Sequence, residues 1–200
     1  MKYAIYRTLL PMILVLLFTQ ICKADGAIVR LLTAKDQLVL DEFAARRSSA
    51  IESARTIADE KKLSILNATL AGTLRSFDDG YDPIGKWKCR YLKLGLTEEV
   101  VIYNWYSCKI FDDGAGWILK KESGSQRFVG RLYRLTHEQL LFLGSLHYAY
   151  EDPIAFGADI KRKQVAILTS LTDGRLRLEF PAPLSESTFD IVELAPIRAP

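Results

Sequence analysis

Cysteine, histidine and methionine are scarce in this chain: three, two and two in 200 residues. His137 and His147 share no metal-ligand spacing with each other or with the cysteines, so a structural zinc site does not organise the fold. The sequence lacks a G-x-S-x-G elbow, an H-E-x-x-H helix, a glycine-rich phosphate loop and a C-x-x-C pair. Strand–helix alternation is missing too, which argues against a doubly wound dinucleotide enzyme. Long apolar runs are absent beyond the N-terminus. The run from Leu9 to Phe18, interrupted by Pro11, is too short to cross roughly 30 Å of hydrocarbon as a stable helix. Charge of one sign is lacking as well. Lys2, Arg7 and Lys23 are the only charges in the first 24 residues, and residues 25–200 carry 24 basic against 24 acidic side chains. A net charge of zero makes a poor partner for nucleic acid, whose affinity comes largely from neutralised phosphates.

What is present begins with an address. Residues 1–24 have a basic start, an apolar run and small residues at Cys22 and Ala24, the pattern of a signal peptide cleaved after Ala24. The alternatives are an uncleaved anchor or a lipoprotein acylated at Cys22, the latter disfavoured by Ile21 before the cysteine. The expected mature protein is a single exported domain over 25–200, with no stable membrane span. Two cysteines then remain, Cys89 and Cys108, an even number in an oxidising compartment. A disulfide between them is expected to contribute about 3 kcal/mol by constraining the unfolded chain. A reactive thiol pair or a half-built metal site are the other readings.

The chain has two compositional halves, 25–72 and 73–200. In the first, Thr33 and Asp36 resemble a capping box with a short acid at the third position. Leu40, Phe43, Ala44, Ile51, Ala54, Ile57 and Ala58 then recur at helical spacing as one apolar stripe. The stretch 61–70 continues that helix or starts another after a bend, and Gly72 ends it. Past Gly85 the period becomes two. Trp87, Cys89 and Tyr91 alternate with Lys86, Lys88 and Arg90, and a long β-branched and aromatic run fills 100–111. Setting Cys89 opposite Cys108 centres the intervening turn between Glu98 and Glu99. Further strands are expected at 117–121, 127–133, 139–148, 165–171, 175–180 and 188–194, with Asp173-Gly174 the strongest hairpin signal. About eight short strands on hairpin-length turns are best satisfied by closing the sheet. The fold class is therefore α+β: an N-terminal helical segment packed on a mainly antiparallel β-barrel, lipocalin-like or a small closed barrel. The long segment 151–163 is placed as a crossover able to cover a barrel mouth.

Candidate chemistry is sparse, and neither a cofactor nor a metal is expected. Ser145 and His147 would share a strand face with Leu141 and Leu143, which reads as a structural histidine before a catalytic one; His137 falls at an exposed turn. Asp78, Asp79 and Asp82 around Gly80 do not follow a calcium-loop spacing. The turn 123–127 gathers Ser123, Ser125, Gln126 and Arg127, and Arg127 either forks onto a carboxylate of a ligand or partner, or holds its own loop. Trp87, Tyr91, Tyr103, Trp105, Tyr106, Trp117 and Phe128 give the first strands an aromatic set that fills a core or walls a cavity. Ser125, Gln126, Arg127, Trp105 and Trp117 are the candidate contacts. The expected role is non-enzymatic binding of a small apolar ligand or an envelope protein. The alternatives are an inhibitor or accessory protein of an envelope enzyme, and a hydrolase whose site is assembled in space.

Several blocks, taken in order, carry a resemblance: Trp87-Lys-Cys-Arg-Tyr-Leu-Lys-Leu-Gly95, Tyr106-Ser-Cys-Lys-Ile110, Lys121-Glu-Ser-Gly-Ser-Gln-Arg-Phe-Val-Gly-Arg-Leu-Tyr133, Leu141-Phe-Leu-Gly144, Arg175-Leu-Arg-Leu-Glu-Phe-Pro-Ala-Pro183 and Ser185-Glu-Ser-Thr-Phe-Asp-Ile-Val-Glu-Leu194. Over most of its mature length the chain resembles DUF4893, a family of exported bacterial proteins. That resemblance implies the bacterial periplasm as compartment, the architecture and two cysteines at the positions of Cys89 and Cys108. It brings no activity with it. The stretch 157–163 departs from the acidic, arginine-rich segment associated with the family, so no role is carried onto it.

Overall fold

A computed structural model describes residues 29–197 apart from positions 79, 97, 98 and 185. The chain divides into two compact units, Met1–Leu31 and Leu32–Pro200. Of the first, one 3-10 turn at Val29–Leu31 is described; the signal-peptide span 1–24 lies outside the described residues. The second unit is an α+β fold in which three helices pack on an eight-stranded antiparallel β-barrel. No helix among the described residues is long and apolar enough to cross a membrane.

The capping box forms at the start of helix α1 (Ala34–Asp41): Thr33 Oγ1 accepts from the Asp36 amide, and the Asp36 carboxylate accepts from the Thr33 amide at 2.7 Å. The short acid suffices because Lys163, on a barrel strand, reaches the same carboxylate at 2.6 Å. Helix α2 (Phe43–Ile57) follows after Glu42, and α3 (Glu60–Leu70) starts at Asp59, whose carboxylate accepts from the Lys62 amide. The expected single stripe is broken into parts. Ile51 and Ala54 are buried with Ala50, whereas Ala44 and Ile57 are exposed. The chain leaves helical geometry at Glu42 and at Ala58, so one 3.6-residue phase does not run through all three segments.

After a two-residue strand β1 (Leu74–Arg75), the barrel is built from β2 (Gly85–Leu96), β4 (Tyr106–Asp112), β5 (Trp117–Lys121), β6 (Gln126–Arg134), β7 (Gln139–Tyr148), β8 (Lys163–Leu171), β9 (Leu176–Phe180) and β10 (Phe189–Pro196). Each pairs with the next, and β10 returns to pair with β2 over eight residues, which closes the sheet. A four-residue strand, β3 (Glu99–Ile102), adds to the end of β2. The expected run 100–111 is thus split by Tyr103, Asn104 and Trp105. That split, with a register shift between Lys93 and Leu96, moves the hairpin by two positions: Cys89 lies opposite Tyr106, and Trp87 opposite Cys108. A slip of two keeps both cysteines on the same face. They form the disulfide diagonally, with Cα atoms 5.9 Å apart.

Inward positions on every strand are apolar through the middle of the barrel. Phe128, Phe142 and Phe180 meet edge to face with centroids 5.5–6.2 Å apart, and Tyr91 stacks on Phe180. Gly130 and Gly144 are cross-strand neighbours beneath the Phe142 ring; a Cβ at either would lie about 2.5 Å from that ring. Eight strands enclose little more than side chains can fill, and this aromatic layer fills it. The end of the barrel opposite the Gly95 end of β2 is closed by 76–84, with Phe77 buried and the Trp87 indole donating to the Pro83 carbonyl at 3.0 Å. Outward Leu92, Leu94, Phe189 and Ile191 make a second core with α2 and α3. The polar side of β9 is covered as well. Arg47 of α2 and Arg177 both bind Glu179, Arg90 and Arg175 both bind Glu193, and Arg175 and Arg177 donate to the last carbonyls of α3. Guanidinium groups are favourable at that negative helix end.

The crossover 151–163 does not cover the mouth. It folds down the outer wall of β7, where Ser145 donates to the Ile154 carbonyl and Arg162 pairs with Glu151. Its polar groups find partners on that wall, which holds it away from the opening.

Gly144→Ala is expected to lower the unfolding free energy by about 1–3 kcal/mol, because the added methyl drives into the Phe142 ring and the facing backbone; urea unfolding checks this. Replacing both Cys89 and Cys108 by Ala is expected to remove about 3 kcal/mol in the same assay.

Candidate functional site

A pocket of about 200 Å³ occupies the mouth of the barrel at the Gly95 end of β2, beyond the aromatic layer. Its walls are the inward residues at the ends of β2, β4, β6, β7, β8 and β10, with Tyr103 and Ser125 from adjoining turns and Pro183, Leu184 and Glu186 from the loop before β10. Closure of β2 on β10 sets Lys93 opposite Asp190, both buried. The loop that delivers Asp190 passes hard against β2: a Cβ at Gly95, where φ is +72°, would lie 2.1 Å from Thr188 Oγ1. Only glycine allows both that backbone angle and that approach.

Lys93 Nζ binds the Glu186 carboxylate at 2.7 Å, and Ser187 Oγ donates to Asp190 at 2.5 Å. Burial pushes the Asp190 carboxyl up to about 6, against the pull of the Ser187 bond and of Lys93. Burial, with Asp190 nearby, also raises the Tyr91 hydroxyl well above its usual value. Across the mouth, Gln164 is 8% exposed and its Oε1 has no hydrogen-bond partner among the described residues. Tyr106 forms part of the wall, and behind it Lys121 is buried with its ammonium 4.0 Å from that ring. Lys121 donates to the Ser123 and Gln126 carbonyls, fixing the turn between β5 and β6, and burial lowers its pKa to about 8.

The five residues singled out from the sequence separate. Ser125 and Gln126 line the mouth. Arg127, one position on, lies on the outer face and donates to the Gly124 carbonyl at 3.1 Å. Trp105 is 42% exposed on the outside, with the Arg90 guanidinium 4.5 Å from its ring centre. Trp117 points inward at the opposite end, paired with Asp112. Lys93, Asp190 and Gln164 were not singled out. The signal for them is a polar residue at an inward position of an otherwise apolar alternation, as at Asp190 two before Val192.

Ser145, Asp78 and Asp82 have structural partners. Ser145 gives its hydroxyl to Ile154, while His147 Nδ1 is buried without a partner among the described residues; the two share a face and form no nucleophile–base pair. Burial, with Lys120 and Arg127 nearby, pushes the His147 imidazole below its usual value. His137, Ser76 and Arg134 all bind Asp78, Asp82 accepts from the Ile84 amide, and Asp79 lies outside the described residues. Among the described residues no group of three or more His, Cys, Asp or Glu converges as a metal site.

Fold and site together define an up-and-down barrel with a packed middle and a polar, tyrosine-walled mouth able to bind a small ligand. The chain belongs to the family described as Domain of unknown function (DUF4893), whose model matches residues 29–194. No curated protein and no solved structure matches it.

The raised Asp190 carboxyl sets a pH dependence. The folded state holds its proton more tightly than the unfolded chain, so this group's contribution is fully present below about pH 4 and is lost as pH rises to about 6, by about 3 kcal/mol. Asp190→Asn is expected to raise the unfolding free energy by about 1–3 kcal/mol near pH 8 and to change it little near pH 4. Urea unfolding at the two pH values measures this.

Proposed function

We propose that this protein is an exported, non-enzymatic binding protein that holds a small ligand in the mouth of its barrel. The observation that carries the reading is an open pocket lined by the buried Lys93, Asp190 and Gln164, the last with a buried Oε1 that has no hydrogen-bond partner among the described residues. Buried polar atoms are nearly always paired, and polar groups gathered in a concave pocket are the usual means of orienting a ligand. Location in the bacterial periplasm is supported by the signal pattern of residues 1–24 and by a disulfide suited to an oxidising space. The packed aromatic floor favours a ligand with polar groups over a wholly apolar one.

Native mass spectrometry of the protein recovered from the periplasm of its own cells is the test. An adduct released on denaturation, and diminished in Gln164→Leu, is expected. A bare mass in every preparation overturns the reading.

A second reading, an envelope-protein partner such as an enzyme that this protein inhibits or assists, is favoured by Tyr150. That residue is 84% exposed beyond the end of β7, at the same end as the mouth, and stacks on Tyr148. A partner captured by the wild type and lost with Tyr150→Ser would support it.

A further inference from the structure

We propose that the mouth takes a small organic cation, a molecule with an ammonium group on a compact aromatic or aliphatic body. The inference rests on the mouth being a ligand site and specifies the chemistry of its occupant.

Three charged side chains line the pocket: Lys93, Glu186 and Asp190, one positive against two negative. The Lys93 ammonium is bound to Glu186 at 2.7 Å, so the buried Asp190 shares a cation already engaged elsewhere. A ligand cation completes the balance. The hydrogen-bonding capacity left over has the same sense. Gln164 Oε1 is an acceptor without a donor, and a carboxylate offers about four acceptor positions, of which Ser187 Oγ uses one on Asp190. Both call for N–H donors. The other nearby ammonium, Lys121, is turned onto the Ser123 and Gln126 carbonyls and does not line the pocket. Tyr91, Tyr103 and Tyr106 supply the remaining wall; Lys121 already engages the Tyr106 ring at 4.0 Å and the Tyr91 ring at 5.9 Å, and Tyr103 is the one of the three with no such cation among the described residues, a face that attracts one. The volume of about 200 Å³ equals the share of roughly seven waters, enough for a molecule the size of phenethylamine.

Binding should also depend on pH. Lys93 and Tyr91 on β2 and Glu186 and Ser187 on the loop act on Asp190, and Gln164 on β8 and Tyr106 on β4 line the same pocket. Burial would lower the Lys93 ammonium, but Glu186 and Asp190 hold it above its usual value, and Lys93 holds Glu186 below the usual carboxylate range. Asp190 is therefore the group in this set that changes charge on mild acidification, and its neutral form attracts a cation less.

Three ligands with one body separate the possibilities: phenethylamine, 2-phenylethanol and phenylacetate, titrated into the full mature chain with its disulfide intact and followed by NMR shifts. Phenethylamine is expected to bind at least about tenfold tighter than the alcohol, and phenylacetate not to bind. Its affinity should fall about tenfold from pH 7.5 to about pH 5 and by a similar factor in Asp190→Asn, a variant expected to fold at least as well as the wild type. Gln164→Leu, read by the same shifts, should weaken the amine while leaving its pH dependence in place. Equal or tighter binding of the alcohol or of phenylacetate overturns the cation and leaves the mouth as a site. Failure of all three with a native adduct still present also overturns the cation alone. Failure of all three with a bare native mass overturns the site as well.

Discussion

The pairing of β10 with β2 is the contact on which the rest depends. Its register, Phe189 with Leu94 through Pro196 with Trp87, closes the sheet and leaves no free edge along either strand. The same register has two further consequences because side chains alternate. Inward, it faces Lys93 with Asp190 and creates the charged end of the mouth. Outward, it groups Leu92, Leu94, Phe189 and Ile191 into the apolar patch on which α2 and α3 lie. A one-residue slip would exchange these faces, burying leucines in the mouth and presenting charges to the helices. Fold closure, helix docking and the charged mouth are therefore a single constraint.

The position of the mouth follows from how the interior is filled. Gly130 and Gly144 remove two side chains from facing strands so that Phe142 can lie flat between them, and Phe128 and Phe180 close around it. The disulfide ties β2 to β4 just beside Trp87 and Tyr106. A ligand cannot penetrate this layer without opening the core, so any guest is confined to the end where polar residues replace aromatic ones. The turn clamped by Lys121 then fixes the Tyr106 wall at a rigid distance from the floor.

Strand positions were legible because alternation and turn residues are local signals. The spans 117–121 and 139–148 coincide with the strands formed, and the Asp173-Gly174 hairpin joins β8 to β9 as read. What failed was long-range phase. The helical stripe is incomplete within α2 itself, where Ala44 and Ile57 stay exposed while Ile51 and Ala54 are buried, and the cysteine register moved by two because three residues between β3 and β4 leave the ladder. The candidate contacts were chosen for side-chain type in one stretch of sequence, and the barrel sends Arg127 outward, Trp105 to the outer wall and Trp117 to the far end. Lys93, Gln164 and Asp190 come from strands far apart in the chain. Their common property, an inward-facing polar group at one barrel end, exists only after closure.

The buried acids of this protein differ in a way that bears on function. Glu179 and Glu193, on the outer face beneath the helices, each receive two guanidinium groups, and Glu193 also a bond from Thr69. Those carboxylates are supplied from within the fold, as buried charges must be if they are not to destabilise it. Asp190 is on the same strand as Glu193 and equally buried, yet it has a serine hydroxyl and a part-share in one lysine. Stability alone would favour an amide or an apolar side chain at that position, since burial makes the carboxyl costlier to ionise in the folded state than in the unfolded chain. A fold that neutralises its other buried acids so fully, and leaves this one short of a partner at the edge of an open pocket, has the electrostatic deficit where a ligand can reach it.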